Sequence, residues 1–254
     1  MCFPGKDNNW YAEIAKKSYK NVCLVLFEVL YIPKISSGKL KDMVKGDYTD
    51  FVNAFNNNKG VVVVSGHISS WELSASGTCV NTGIKISCIA RPQTNELVNT
   101  KVNKYREKYG NDVIETGANL RLIHQRLKEK GVVAFIIDQS APPEYSYFVD
   151  FFGVNTASYS GAAKVALKYE TEVILGVIVR KDDLNYSPLF INIRTDDLSG
   201  TFDERAKELT ARMHKTLESV IRQYPGQWLW FHRRFKNIRI NENENTYNTD
   251  SIYR

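Results

Sequence analysis

The stretch "VVVVSGHISSWELSASG", residues 61–77, decides the fold. Four consecutive valines are β-branched and have no polar face, as expected of a strand covered on both sides. The chain then turns through Ser65-Gly66-His67 and enters a helical pattern that contains Glu72. The same unit recurs outward from here. "IKISCIA" (84–90), "VVAFIID" (132–138), "EVILGVIVR" (172–180) and "LFINIR" (189–194) read as further strands. Between them Val98, Val102, Tyr105 and Tyr109 recur at helical spacing and stop at Gly110, and Leu120, Ile123 and Leu127 do the same before Gly131. "SGAAKVALKYE" (160–170) has the small-residue face of a helix packed close to a sheet. Thr201 and Glu204 suit a capping box that opens a long helix reaching about Tyr224, with Leu209, Met213, Val220 and Ile221 on its apolar face. This β-α-β alternation implies a single α/β domain with a mostly parallel central sheet and helices on both faces.

Length and charge set outer bounds. A chain of 254 residues can bury a sizeable core in one such unit. The expected organisation is one domain over residues 1–240 and a polar, loose tail over 241–254 ("NENENTYNTDSIYR"). The net charge of +6 points to an anionic partner without naming it. Cys2, Cys23, Cys79 and Cys88 form no Cys-x-x-Cys pair and no zinc-type cluster with histidine, so reduced thiols are expected and no metal is implied. No stretch reaches the roughly 20 apolar residues needed to span a bilayer. "VCLVLFEVLYI" (22–32) is short, interrupted by Glu28, and reads as a buried helix.

In open parallel sheets, ligands bind beyond the carboxyl ends of the strands. Three such ends carry groups that handle protons or charge: His67 after the first strand, Arg91 after the second, and Asp138-Gln139 after the third. His67 and Glu72 have the residue types of a general base and its orienting acid, and Ser69 or Ser70 can cap the helix between them. By spacing alone His-x4-Glu is a weak pattern, and a loop histidine beside a helix-start acid fits it better. Arg91 suits phosphate or an oxyanion, or else is a surface residue before a proline turn. Asp138 is either a supporting acid or a strand terminator, and Arg106 lies on an amphipathic helix. No Gly-x-Ser-x-Gly elbow, Gly-x-Gly-x-x-Gly loop or P-loop is present, which disfavours common serine hydrolases and nucleotide enzymes. "RQYPGQWLWFHRRFKNIR" (222–239) interleaves aromatic and basic residues without an acid. That composition suits a phosphate-rich membrane surface or single-stranded nucleic acid; a segment with core tryptophans and solvated arginines is the structural alternative.

In order, "GHISSWE", "ARPQTNELVNTKVNKYREKYG", "GVVAFIIDQ", "VDFFGVNTASYSGAAKVALK" and "YPGQWLWFHRRFK" resemble the blocks of the bacterial lipid A biosynthesis (late-step) acyltransferases, within the lysophospholipid acyltransferase superfamily. The resemblance runs from about Phe3 to Lys236. It implies transfer of a fatty acyl chain from an acyl carrier protein thioester, or a coenzyme A thioester, to a hydroxyl of a lipid A precursor or related glycolipid. No cofactor beyond that co-substrate is implied. It places the enzyme at the cytoplasmic side of the cell inner membrane, in lipopolysaccharide biosynthesis, without nucleic acid as a partner. By position His67 and Glu72 match the family's catalytic pair, with Glu72 orienting His67. Arg91, Arg106, Asp138 and Gln139 match its substrate-binding blocks. A phospholipid mannoside or an amino lipid is the alternative acceptor, and a basic nucleic-acid-binding module the alternative of another class. Many members read His-x-Gly-Asn-Trp-Glu where this chain has Ser69-Ser70, and tryptophan where it has Phe235. The family's "Cys-Phe-Pro" block falls at residues 2–4, so the resemblance implies an amino-terminal membrane helix absent from this chain.

Overall fold

The computed structural model describes residues 2–117, 120–182, 184–239 and 247–248. The expected loose tail from 241 onward lies outside these residues, apart from 247–248. Three helices, α1 (Asn8–Tyr31), α2 (Ser37–Met43) and α3 (Thr49–Asn56), precede the sheet. Alternation then runs β1 (Val61–Ser65), α4 (Trp71–Thr82), β2 (Ile86–Ala90), α5 (Glu96–Glu107), β3 (Asp112–Glu115), α6 (Leu120–Lys128) and β4 (Val132–Ile136). A hairpin of β5 (Ser146–Phe151) and β6 (Val154–Tyr159) follows, then α7 (Gly161–Tyr169), β7 (Glu172–Arg180), β8 (Tyr186–Asn192) and α8 (Phe202–Gln223). The short β9 (Asn237–Ile238) and β10 (Tyr247–Asn248) come last.

The valine strand sits where its composition requires. The main sheet has the order β3-β2-β4-β1-β7-β8, and β1 lies inside it, parallel to both β4 and β7. Val61, Val62 and Val64 are fully buried and Val63 nearly so. All neighbouring strands are parallel except β8, which runs antiparallel along the edge. That edge position explains why Pro188 is tolerated inside a strand, since a proline without an N–H breaks no ladder there. The loops after β1, β2 and β4 therefore emerge on one side, from three adjacent strands.

The capping box forms as expected. The Thr201 hydroxyl accepts from the Glu204 amide at 3.3 Å, and the Glu204 carboxylate accepts from the Thr201 amide at 2.8 Å. Leu209, Met213, Val220 and Ile221 of α8 are all buried. Two parts of the architecture go beyond the sequence reading. The first is β3, a short edge strand of mixed polarity. The second is a small antiparallel sheet, ordered β10-β9-β6-β5, in which "VDFFGVNTASYS" forms a hairpin turning at Phe152 and Gly153. Phe152 takes φ 58° and Gly153 φ 77°, the left-handed geometry of a tight turn. The Glu218 carboxylate of α8, 1 % exposed, anchors this turn by accepting from the Phe152 amide at 2.7 Å.

The expectation of a buried helix at 22–32 is overturned. Residues 8–31 form one helix, α1, but it buries Ser18, Asn21, Val25 and Glu28 and exposes Leu26, Phe27 and Leu30. The reason lies in the partners of the polar face. Glu28 accepts hydrogen bonds from the Ser70 hydroxyl, the Tyr186 hydroxyl and the Arg180 guanidinium (2.6 Å). Asn21 donates to the carbonyls of Ser69 and Gln227, both at 3.1 Å, and Ser18 donates to the Trp228 carbonyl at 2.7 Å. A buried carboxylate is tolerated only when so paired. The four cysteines are free thiols, with Cys2 and Cys79 buried, Cys88 half-buried and Cys23 exposed. Among the described residues, no helix is long and apolar enough to cross a membrane.

Candidate active site

His67 leaves β1 at the carboxyl edge of the sheet, and its side chain is 16 % exposed. The adjacent strand β4 delivers Asp138, 2 % exposed, to the same point. The strand expected to reach 138 stops pairing as a strand at Ile136, which frees Asp138 to turn toward its neighbour. One Asp138 oxygen meets His67 Nδ1 at 2.8 Å, and the other accepts from the His67 backbone N–H at 2.7 Å. That second oxygen also accepts from Trp228 Nε1 at 2.8 Å. Gly66 makes the approach possible, because a Cβ there would stand 3.1 Å from the Asp138 carboxylate and from the Leu217 methyls.

These contacts set the protonation states. Burial disfavours the Asp138 anion, but the His67 charge and the three donors outweigh it and bring its pKa down to about 2. An ionised carboxylate only accepts, so Nδ1 of His67 carries the proton and Nε2 is the lone-pair nitrogen when the ring is neutral. Burial opposes a charge on the ring, yet the Asp138 carboxylate more than offsets it and holds His67 above the ordinary imidazole range. This is the geometry of a general base with its orienting acid.

Glu72, expected from the sequence to orient His67, is not the carboxylate that the His67 ring bonds. It lies in the first turn of α4, and its carboxylate is taken by Arg106 of α5 in a two-pronged pair, Nε to Oε2 at 2.8 Å and Nη2 to Oε1 at 2.7 Å. The planar guanidinium matches both carboxylate oxygens and fixes the acid's orientation. Arg106 is accordingly a partner of Glu72. The pair borders His67 electrostatically, Glu72 favouring the charged ring and Arg106 opposing it. Arg91 follows β2 on the same side of the sheet, is exposed, and has no hydrogen bond or ion pair among the described residues. Gln139 is half-buried, and its side chain likewise makes no hydrogen bond there.

Two residues of the closing aromatic-basic stretch stand at this site, and nothing in the sequence pattern ties either of them to His67. Trp228 is 2 % exposed and holds Asp138, while its ring packs in a cluster with Phe151, Phe152 and Trp230. His232 stacks over His67 with ring centroids 5.9 Å apart and planes 20° from parallel, and Trp71 meets the same ring edge-on at 5.3 Å. Burial and the neighbouring His67 lower the His232 pKa. Within the stretch Trp228, Arg234 and Phe235 are interior, so two of the aromatics offered to nucleic acid bases are core. Among the described residues no group of His, Cys, Asp and Glu could hold a metal ion.

The turn after His67 is where this chain departs from the commoner motif, and the serine there is strained. Ser69 has φ 53°, in the left-handed region where a Cβ is unfavourable. It is fully buried, and its hydroxyl has no hydrogen-bond partner. Neither serine caps α4, because the Ser70 hydroxyl is committed to Glu28. Glycine at position 69, as in the His-x-Gly-Asn-Trp-Glu form, would adopt the same turn without strain.

The family model described as bacterial lipid A biosynthesis acyltransferase matches residues 1–237. A lipid A biosynthesis palmitoleoyltransferase of Escherichia coli (strain K12) is 28 % identical over 95 % of this chain and 78 % of its own length. A lipid A biosynthesis acyltransferase of Shigella flexneri gives the same figures. A lipid A biosynthesis lauroyltransferase of E. coli is 23 % identical over 93 % of this chain and 76 % of its own.

Ser69→Gly is expected to stabilise the protein by about 1 kcal/mol, since relief of the left-handed strain exceeds the added chain entropy of glycine. Thermal unfolding should register this as a rise of about 2–4 °C. An unchanged or lower midpoint would show that the turn is not strained.

Proposed function

The chain belongs to the bacterial lipid A biosynthesis acyltransferase family and is an acyltransferase, and from that premise we propose that it moves a fatty acyl chain from an acyl carrier protein thioester to a hydroxyl of a lipid A precursor. The observation that carries the mechanism is the double contact of His67 with Asp138, which engages Nδ1 and leaves Nε2 as the lone-pair nitrogen of the neutral ring. His67 Nε2 takes the proton of the acceptor hydroxyl as its oxygen attacks the thioester carbonyl. Asp138 stabilises the imidazolium that forms. Collapse of the tetrahedral intermediate breaks the C–S bond, and the proton on Nε2 passes to the departing sulfur. One ester forms, one thioester is consumed, and the carrier leaves as a free thiol.

The other residues act around that step. Glu72 and Arg106 brace α4 against α5 beside His67 and so hold Trp71 on its ring. Arg91 is an exposed cation on the same side, suited to an acceptor phosphate or to the oxyanion. The net charge of +6 favours both an acidic carrier protein and phosphorylated lipid. A working position on the cytoplasmic side of the inner membrane follows from those two substrates.

In cells that carry the protein, mass spectrometry of extracted lipids is expected to show one added acyl chain on a lipid A-type glycolipid. That species should vanish with His67→Ala. Its persistence with His67→Ala would refute the mechanism, and an acyl chain added to a phospholipid mannoside or amino lipid would redirect the acceptor. The pH dependence gives an independent check. The base works only when neutral and Asp138 raises its pKa, so kcat/KM should climb with pH through a midpoint above the usual imidazole value of about 6.5. Asp138→Asn removes the raising influence and leaves burial, so the midpoint should move to lower pH. The plateau rate should fall by about 10²- to 10⁴-fold.

A further inference from the structure

We propose that the outer face of α1 is a docking surface for an anionic lipid bilayer, in which the helix lies flat while its inner face holds the catalytic turn. The inference rests on the lipid-linked acceptor proposed above for its biological sense, but its physical basis is separate. A helix on a soluble protein turns its apolar side to the core and its polar side to water. In α1 the sides are exchanged. Tyr19, Leu26, Phe27 and Leu30 are 58, 61, 70 and 71 % exposed, and Cys23 between them is exposed as well. Positions 19, 23, 26 and 30 recur at spacings of four, three and four, so they form one stripe along the helix. Phe231 extends the stripe at the active-site end, where its ring meets that of Tyr19 at 4.1 Å and is itself 44 % exposed.

The charge around the stripe selects the occupant. Residues 13–42 contain Lys16, Lys17, Lys20, Lys34, Lys39 and Lys41 against the acids Glu13, Glu28 and Asp42, of which Glu28 is buried and Glu13 pairs with Lys17 at 2.5 Å, so the surface around the stripe keeps an excess of cations. An apolar stripe with cations at both ends is the composition of a helix lying in the interface of an anionic membrane. It does not span, because no window of α1 is apolar enough and its inner face is fastened to the protein. That fastening gives the position its use. Asn21 and Glu28 on the inner face bond Ser69 and Ser70, two and three residues beyond His67, while Ser18 bonds the Trp228 carbonyl. Docking the stripe would set His67 at the lipid surface, where an acceptor carried by the membrane is presented.

The test is flotation of the purified protein with vesicles of phosphatidylglycerol and phosphatidylethanolamine, read without donor or acceptor, so its failure is distinct from failure of the acyl-transfer reading. The wild-type chain should bind, and Phe27→Ser/Leu30→Ser should weaken the partition coefficient at least tenfold with an unchanged far-ultraviolet spectrum. If that pair does not fold, Lys16→Glu/Lys34→Glu keeps the stripe, and should reduce binding to anionic vesicles while leaving binding to purely zwitterionic ones as it was. Equal binding of wild type and variants, or no binding by the wild type, overturns the proposal. So does concentration-dependent dimerisation that Phe27→Ser/Leu30→Ser abolishes, which would assign the stripe to a second copy of the chain.

Discussion

The Asp138 carboxylate is the point on which the site depends. Its two oxygens take three donors from two directions, the backbone and ring of His67 on one side and the indole of Trp228 on the other. Charge-assisted hydrogen bonds of this kind are stronger than neutral ones, and inside the protein water does not compete for them. Asp138 is 2 % exposed and Trp228 equally so, and losing either partner would strand a buried polar group. The interaction also ties β1, β4 and the carboxyl-terminal segment together at one position. The hairpin β5–β6 packs against Trp228 through Phe151 and Phe152, and Leu217 of α8 stands against Gly66 beside the Asp138 carboxylate.

A second constraint comes from α1. A helix that buries serine, asparagine and glutamate must find partners for all three, and here they are found in the loops that carry His67 and Trp228. Arg180 and Tyr186, from β7 and β8, complete the Glu28 site. The loops that carry His67 and Trp228 are thus held from two directions, by Asp138 and by α1. Helix α1 therefore supports the turns on which His67 and Trp228 stand.

How far the sequence conveyed this depends on the range of each interaction. The parallel sheet was legible because burial on both faces writes itself into consecutive residues such as Val61–Val64. The capping box at Thr201 was legible because both partners lie within one turn. The convergence of His67 and Asp138 followed from topology, since both end adjacent strands. The choice of orienting acid did not. Glu72 is five residues from His67 and Asp138 is 71 away, and proximity along the chain points to Glu72; only the position of Arg106, on another helix, shows that the Glu72 carboxylate is engaged elsewhere. The stretch around Trp228 fits a basic, aromatic surface as well as a segment with core tryptophans, because alternation with basic residues hides which ring faces inward. The face of α1 was misjudged for a related reason, since an apolar run reads as buried unless the partners of its polar residues are known.

The central claim is that Asp138, and not Glu72, fixes the tautomer and basicity of His67. Its most direct test is a nitrogen-15 NMR titration of the His67 ring in the wild-type protein, in Asp138→Asn and in Glu72→Gln. The account predicts a neutral ring protonated at Nδ1 with a pKa above that of free imidazole in the wild type, the same tautomer in Glu72→Gln, and loss of both properties in Asp138→Asn. A ring protonated at Nε2 in the wild type, or a tautomer that changes in Glu72→Gln and survives in Asp138→Asn, would contradict it.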